Sequence, residues 1–159
     1  MDVATFAEIQ DDFSERVARI VWSTVTTVDR KGRPRSRILH PLWEGSTGWI
    51  ATGRNSFKSK HIARNPYVSV SYWDQEHQQV YADCRAEWED DPAEKRRLWQ
   101  VYKETPPPLG YDLGLFWPAG PDDPNLGLLK LTPWRIELWS LQDMMQGKPS
   151  KVWRSRPTA

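Results

Sequence analysis

Between Gly53 and Lys60 the chain reads Gly-Arg-Asn-Ser-Phe-Lys-Ser-Lys, a tight packing of cations and hydroxyls. This run follows a strand-like stretch, Trp49-Ile50-Ala51-Thr52. It leads into a short helical piece with Phe57, His61 and Ile62 that stops at Asn65-Pro66. The first N–H groups of a helix lack intrahelical partners, and the helix dipole is positive there. Donors gathered at a strand-to-helix junction therefore suit a phosphate. The chemistry implied is the holding of a phosphate-bearing ligand beside a sheet.

Other reactive residue types carry less. Arg30, Lys31, Arg33, Arg35 and Arg37 form a basic cluster. Such a cluster is ordinarily a charged strand face. It is also able to receive an anionic tail, since Arg meets phosphate and carboxylate with two parallel hydrogen bonds. His40, His61 and His77 share no metal-ligand spacing, so no metal site is assigned. The single cysteine, Cys84, excludes an internal disulfide and reads as a core residue. Asp83 beside it calls for a structural partner, with Arg85 and Arg37 as the candidates.

These residues sit on a chain of 159 residues, long enough for one domain with a true core. Basic side chains number 22 and acidic ones 21, so the net charge of +1 gives no reason to expect nucleic-acid binding. The N-terminus, Met-Asp-Val-Ala-Thr-Phe-Ala-Glu-Ile, is not a signal peptide, and no apolar run is long enough to span a membrane. A cytoplasmic location follows as the expectation. Ten tryptophans are enough to serve both core and interface.

The positioning elements are read from periodicity. Phe6, Ile9, Phe13 and Val17 recur at helical spacing, which predicts a helix over 4–17. Ile20–Val28 and Arg33–Trp43 read as strands around an Asp29–Gly32 turn, and Glu44–Gly48 returns the chain to Trp49–Gly53. Tyr67–Trp73 and Gln78–Glu89 form a hairpin. Asp91, Pro92 and Glu94 mark a helix start, and that helix runs to about Glu104. Thr105–Asn125 is a long proline-rich loop of the kind that is usually functional or interfacial. Leu126–Leu141 is a last strand, broken near Pro133. The expected architecture is mainly β with peripheral helices: a six-stranded antiparallel barrel over residues 1–143, with 144–159 as an irregular tail.

At this point the sequence resembles the pyridoxamine-phosphate-oxidase-like split β-barrel superfamily, whose members bind FMN or the deazaflavin F420. The resemblance spans about residues 8–141. It rests on Thr52, then Ser56-x-Lys58, then Ile62-x-x-Asn65-Pro66-x-Val68-Ser69. Gln79-Val80 leading to Arg85-Ala86-Glu87 supplies a second motif. The resemblance implies a homodimer with the cofactor in the groove between subunits. It implies that Thr52, Ser56 and Lys58 hold the cofactor phosphate, with Arg37 and Arg54 supplying charge nearby. Strand Ser36–Pro41, including Ile38 and His40, would run under the ring beside Ala51, and Gln79 would reach the cofactor, from the partner subunit in one arrangement.

Three positions depart from the family's vitamin B6 oxidases. Ser36 and Pro41 stand where those enzymes carry Arg and Lys, and Phe57 stands where they carry a second Arg. The resemblance therefore implies a flavin- or deazaflavin-dependent oxidoreductase, not a pyridoxamine-phosphate oxidase. It would pass a hydride from reduced F420 or FMN to a small electron-poor substrate. The basic cluster gives F420 a small edge over FMN. No residue is assigned as catalytic; His40 as a general acid is the one candidate. Two readings from other classes stand beside it: a non-catalytic FMN- or F420-binding carrier or stress-related protein, and a dimeric interaction domain.

Overall fold

A computed structural model describes residues 1–155 of the chain. The chain begins with β1 (Asp2–Val3), a 3₁₀ turn at Phe6–Glu8 and helix α1 (Gln10–Ile20). The helix predicted over 4–17 is thus two pieces. The Glu8 carboxylate accepts the Ala4 and Thr5 N–H groups at 2.9 and 2.8 Å, which closes the first turn tightly before α1 begins. Ile9, Phe13 and Val17 do lie on one buried face, as their spacing requires.

All six strands read from the sequence are present. They are β2 (Ser23–Val28), β3 (Pro34–Leu39), β5 (Thr47–Gly53), β6 (Tyr67–Trp73), β7 (Gln78–Glu89) and β8 (Leu126–Ser140). Three short strands add to them: β1, β4 (Leu42–Glu44) and β9 (Lys151–Arg154), giving nine in one sheet. The stretch 33–43 does not run as one strand. It breaks at His40-Pro41, where proline has no N–H for a ladder. The tail over 144–159 is not wholly irregular either. β9 pairs antiparallel with Arg135–Leu138 of β8 and parallel with β1, tying the N-terminus to the C-terminal segment. Residues 156–159 of that tail lie outside the described residues.

The ladder runs β3-β2-β6-β7-β8 by antiparallel pairing, and β5 joins the first half of β8. No ladder joins β3 to β5 among the described residues, so the barrel is split along that seam. Opposite Pro133 the β7–β8 register shifts and Trp134 becomes the extra residue. Asp83 finds Arg135 across this pair at 3.2 Å, and neither Arg85 nor Arg37 serves it.

Two apolar clusters hold the layers. Phe13 of α1 packs edge-on against Phe6 and Trp43 over Val25, Val70 and Ile136. Leu98 and Tyr102 of α3 (Pro92–Glu104) pack on Trp49 and Leu128. Asp91 caps α3 by accepting the Ala93 N–H at 3.2 Å, while Glu94 pairs with Arg97 and does not reach back to the cap. The short helices α2 (Phe57–Ile62) and α4 (Leu141–Met145) complete the fold. No helix among the described residues is long and apolar enough to cross a membrane.

Candidate functional site

The turn from β5 into α2 carries the first part of the site. Gly127 of β8 lets that turn lie close to the sheet. A Cβ there would stand 2.5 Å from the Trp88 ring and 3.0 Å from both the Arg54 Cα and the Thr52 carbonyl oxygen. Past Gly53, Lys58 Nζ donates to Ser56 Oγ at 2.8 Å, and Ser59 Oγ donates to the Arg54 carbonyl. The Arg37 guanidinium donates to the Val25 carbonyl at 3.3 Å.

Arg37 and Lys58 are both half-buried, and neither has a carboxylate partner among the described residues. Burial pulls the Lys58 ammonium below the ordinary lysine range, and the nearby Arg37 charge lowers it further. Burial likewise lowers Arg37, with Arg35 adding to it. Two like charges held together under partial desolvation, with Ser56 Oγ beside one of them, form a place that an anion would relieve.

The second part is a cavity of about 520 Å³ along the split seam, between the end of β3 and β5, under the 105–125 loop. Ile38, Ala51 and Thr52 line it from the strands, His40 from the break after β3, and Tyr111 and Trp117 from the loop. The loop is held by two short 3₁₀ turns, Leu113–Leu115 and Gly120–Asp122, and Asp112 caps the first by accepting the Gly114 N–H at 2.8 Å. Tyr111 is buried enough that its phenol is pushed up to about 12, so it stays protonated at neutral pH.

His40 packs between the Trp22 and Tyr111 rings, with centroids 5.0 and 5.3 Å away. Its Nε2 is buried without a hydrogen-bond partner. Burial depresses its basicity, although an interaction with the Leu109 backbone opposes this. The folded state thus binds this proton more weakly than the unfolded chain does. Stability contributed here is present above the ordinary histidine range, around pH 6.5, and is lost as pH falls below it. His40→Gln should flatten the decline in urea stability from pH 7 to 5. An unchanged slope would take His40 out of that titration.

The remaining candidates are placed differently. Arg54 turns away: its guanidinium stacks 4.7 Å from the Trp88 ring centroid and reaches Asp90 at 3.4 Å. Its backbone N–H donates to Asn125 at 3.0 Å. Gln79 lies on β7 beside Tyr81, whose hydroxyl donates to it. It borders a separate cavity that shares Trp22 and Ile38 with the seam cavity.

The basic cluster read from the sequence lines one wall of a groove of about 660 Å³ on the α2 side of β3, and the opposite wall is what the sequence reading missed. Arg30, Lys31, Arg33 and Arg35 face Lys60 and Arg64 across it. Its one carboxylate, Asp29, is engaged by Arg33 at 2.8 Å. His61 Nδ1 bonds Thr27 Oγ1 at 2.9 Å, which docks α2 on β2 and brings Lys60 and Arg64 to the cations of the β2–β3 turn and to Arg35. The helical spacing of Lys60 and Arg64 was the available signal. Among the described residues no group of three or more His, Cys, Asp or Glu side chains is placed to hold a metal ion.

The chain is a split β-barrel with a pair of half-buried cations, Arg37 of β3 and Lys58 of α2, beside an apolar seam. The pattern of the pyridoxamine 5'-phosphate oxidase family matches residues 9–140, and the chain belongs to that family. It is 26% identical over 137 residues to general stress protein 26 of Bacillus subtilis, covering 81% of this chain and 89% of that protein. Solved structures share the fold. A general stress protein 26-related protein of Clostridium acetobutylicum superposes with a TM-score of 0.73 at 16% identity, covering 92% of this chain and 94% of its own. A pyridoxamine 5'-phosphate oxidase-related, FMN-binding protein of Nostoc punctiforme gives 0.66 at 17% identity, covering 94% and 97%. A NimC/NimA family protein of Clostridium acetobutylicum gives 0.72 at 14% identity, with 92% of each chain covered.

Proposed function

We propose that the chain binds a phosphate-bearing flavin-type cofactor and acts as an oxidoreductase on a small-molecule substrate. The observation that carries this reading is the Arg37–Lys58 pair: two half-buried cations without a carboxylate, beside a cavity sized for a flat ring. These residues fit the cofactor. Arg37, Ser56 and Lys58 would hold the phosphate, while Ile38, Ala51 and Thr52 would line the ring. When bound, such a cofactor supplies hydride chemistry at its ring, and the protein contributes binding, orientation and exclusion of water. Arg54 is committed to Trp88 and Asp90 and is left out of this cradle.

The family membership and the FMN-binding relative favour FMN. One observation favours F420 as a second reading: Arg35 links the cradle to the basic groove, where a longer anionic tail has room. The proposed assembly is a homodimer. Trp22, Ile38 and Trp73 stand 60%, 62% and 55% exposed around the cavity that Gln79 borders, and a second copy would cover them. A binding-only role, in keeping with the stress-protein name of the Bacillus relative, differs by the absence of turnover.

The test is purification from a host that makes both cofactors, followed by an absorbance spectrum and mass analysis of the released ligand. FMN or F420 at near one per chain is expected. Protein that carries neither, and takes up neither on titration, would sink the reading.

A further inference from the structure

The seam cavity has no charged side chain on its wall. Its polar groups are the hydroxyls of Thr52 and Tyr111, the indole N–H groups and the imidazole of His40, whose basicity burial lowers. Aromatic rings run along the loop side without a gap. Tyr111 meets Phe116 edge-on at 6.1 Å, and Phe116 meets Trp117 at 5.8 Å. No cation lines the cavity: Arg37 on β3 and Lys58 on α2 lie outside its wall, and the remaining cluster lines the groove on the α2 side.

From this wall, and resting on the flavin reading above, we infer that the loop half of the cavity takes an uncharged, planar aromatic substrate and rejects the same ring bearing an anionic group. Flat apolar area gains from burial against the ring chain. An ionised phosphate, carboxylate or sulfonate would be desolvated there with no counter-charge. Phosphorylated B6 vitamers fail this requirement.

The probes are 2-naphthol, 2-methoxynaphthalene and 2-naphthalenesulfonate, which share one ring system. Equilibrium dialysis is run on the intact chain, with and without oxidised FMN or F420 and without reductant. Naphthol and the methoxy compound should each bind at least about tenfold more tightly than the sulfonate. Phe116→Ala should weaken naphthol. Leu115→Lys, at a 77% exposed position on the lip, should bring the sulfonate to within about threefold of naphthol. Equal binding of naphthol and sulfonate by the cofactor-loaded chain, or naphthol binding indifferent to Phe116→Ala, would overturn the inference. Failure to load either cofactor strikes the flavin reading alone, since the ratio of the probes is also measured on the cofactor-free Arg37→Ala/Lys58→Ala variant, which has no empty cradle to draw the sulfonate, and equal binding there overturns the inference.

Discussion

Lys58→Ala should loosen FMN or F420 by about ten- to a hundred-fold, because a charge-assisted phosphate contact contributes roughly 1.5–3 kcal/mol. The same change should not destabilise the cofactor-free protein. In the folded chain Lys58 is half-buried and repelled by Arg37, so its charged form is already disfavoured. Removing it relieves that repulsion, and the cofactor-free unfolding midpoint in urea should hold or rise. Arg37→Ala should behave alike, and the double variant should lose less affinity than the two single losses together, since each cation loses part of its cost when the other is gone. Isothermal titration and urea melts read both halves. An affinity loss below about threefold, or a cofactor-free protein that loses stability as a salt-bridged one would, would remove the cradle from the site.

Part of this site was legible because its signal is local. Ser56-x-Lys58 after a strand and before a helix is a matter of residue type and spacing, and the β6–β7 hairpin follows from alternation around Asp74–His77. What escaped was set by distant partners. β9 is four residues whose strand character comes from pairing with Arg135–Leu138, so nothing within Lys151–Arg154 announces it. Arg54 read as a cradle residue because it neighbours Ser56 in sequence. Its side chain goes instead to Trp88 and Asp90, which come from the far end of β7 and the turn after it. The basic groove needed α2 docked on β2 before Lys60 and Arg64 met the cations of the β2–β3 turn and Arg35. Pro41 was a visible break, yet the strand was read through it because Leu42 and Trp43 resume the apolar pattern on the other side.

Tyr102→Phe should cost about 2–6 kcal/mol of stability and should open the wall of the proposed ring site. Tyr102 is fully buried on α3, and its hydroxyl donates to the Trp49 carbonyl at 2.9 Å while accepting the Ala51 N–H at 3.2 Å. Those backbone groups lie on the edge of β5 that β4 leaves: β4 pairs only as far as Trp49, and β3 does not pair with β5 at all. One phenol therefore satisfies backbone groups that a neighbouring strand would otherwise take. Phenylalanine keeps the ring and its packing and removes only the oxygen, leaving a buried donor and a buried acceptor at roughly 1–3 kcal/mol each. The effect should be local as well as global. Ala51 and Thr52 line the seam cavity, so the Ala51 amide should exchange with deuterium faster than in the natural chain, relative to the amides of the β6–β7 hairpin. A loss under about 1 kcal/mol, with Ala51 exchange unchanged, would mean that water or a shifted strand replaces the hydroxyl, and that α3 does not brace the seam.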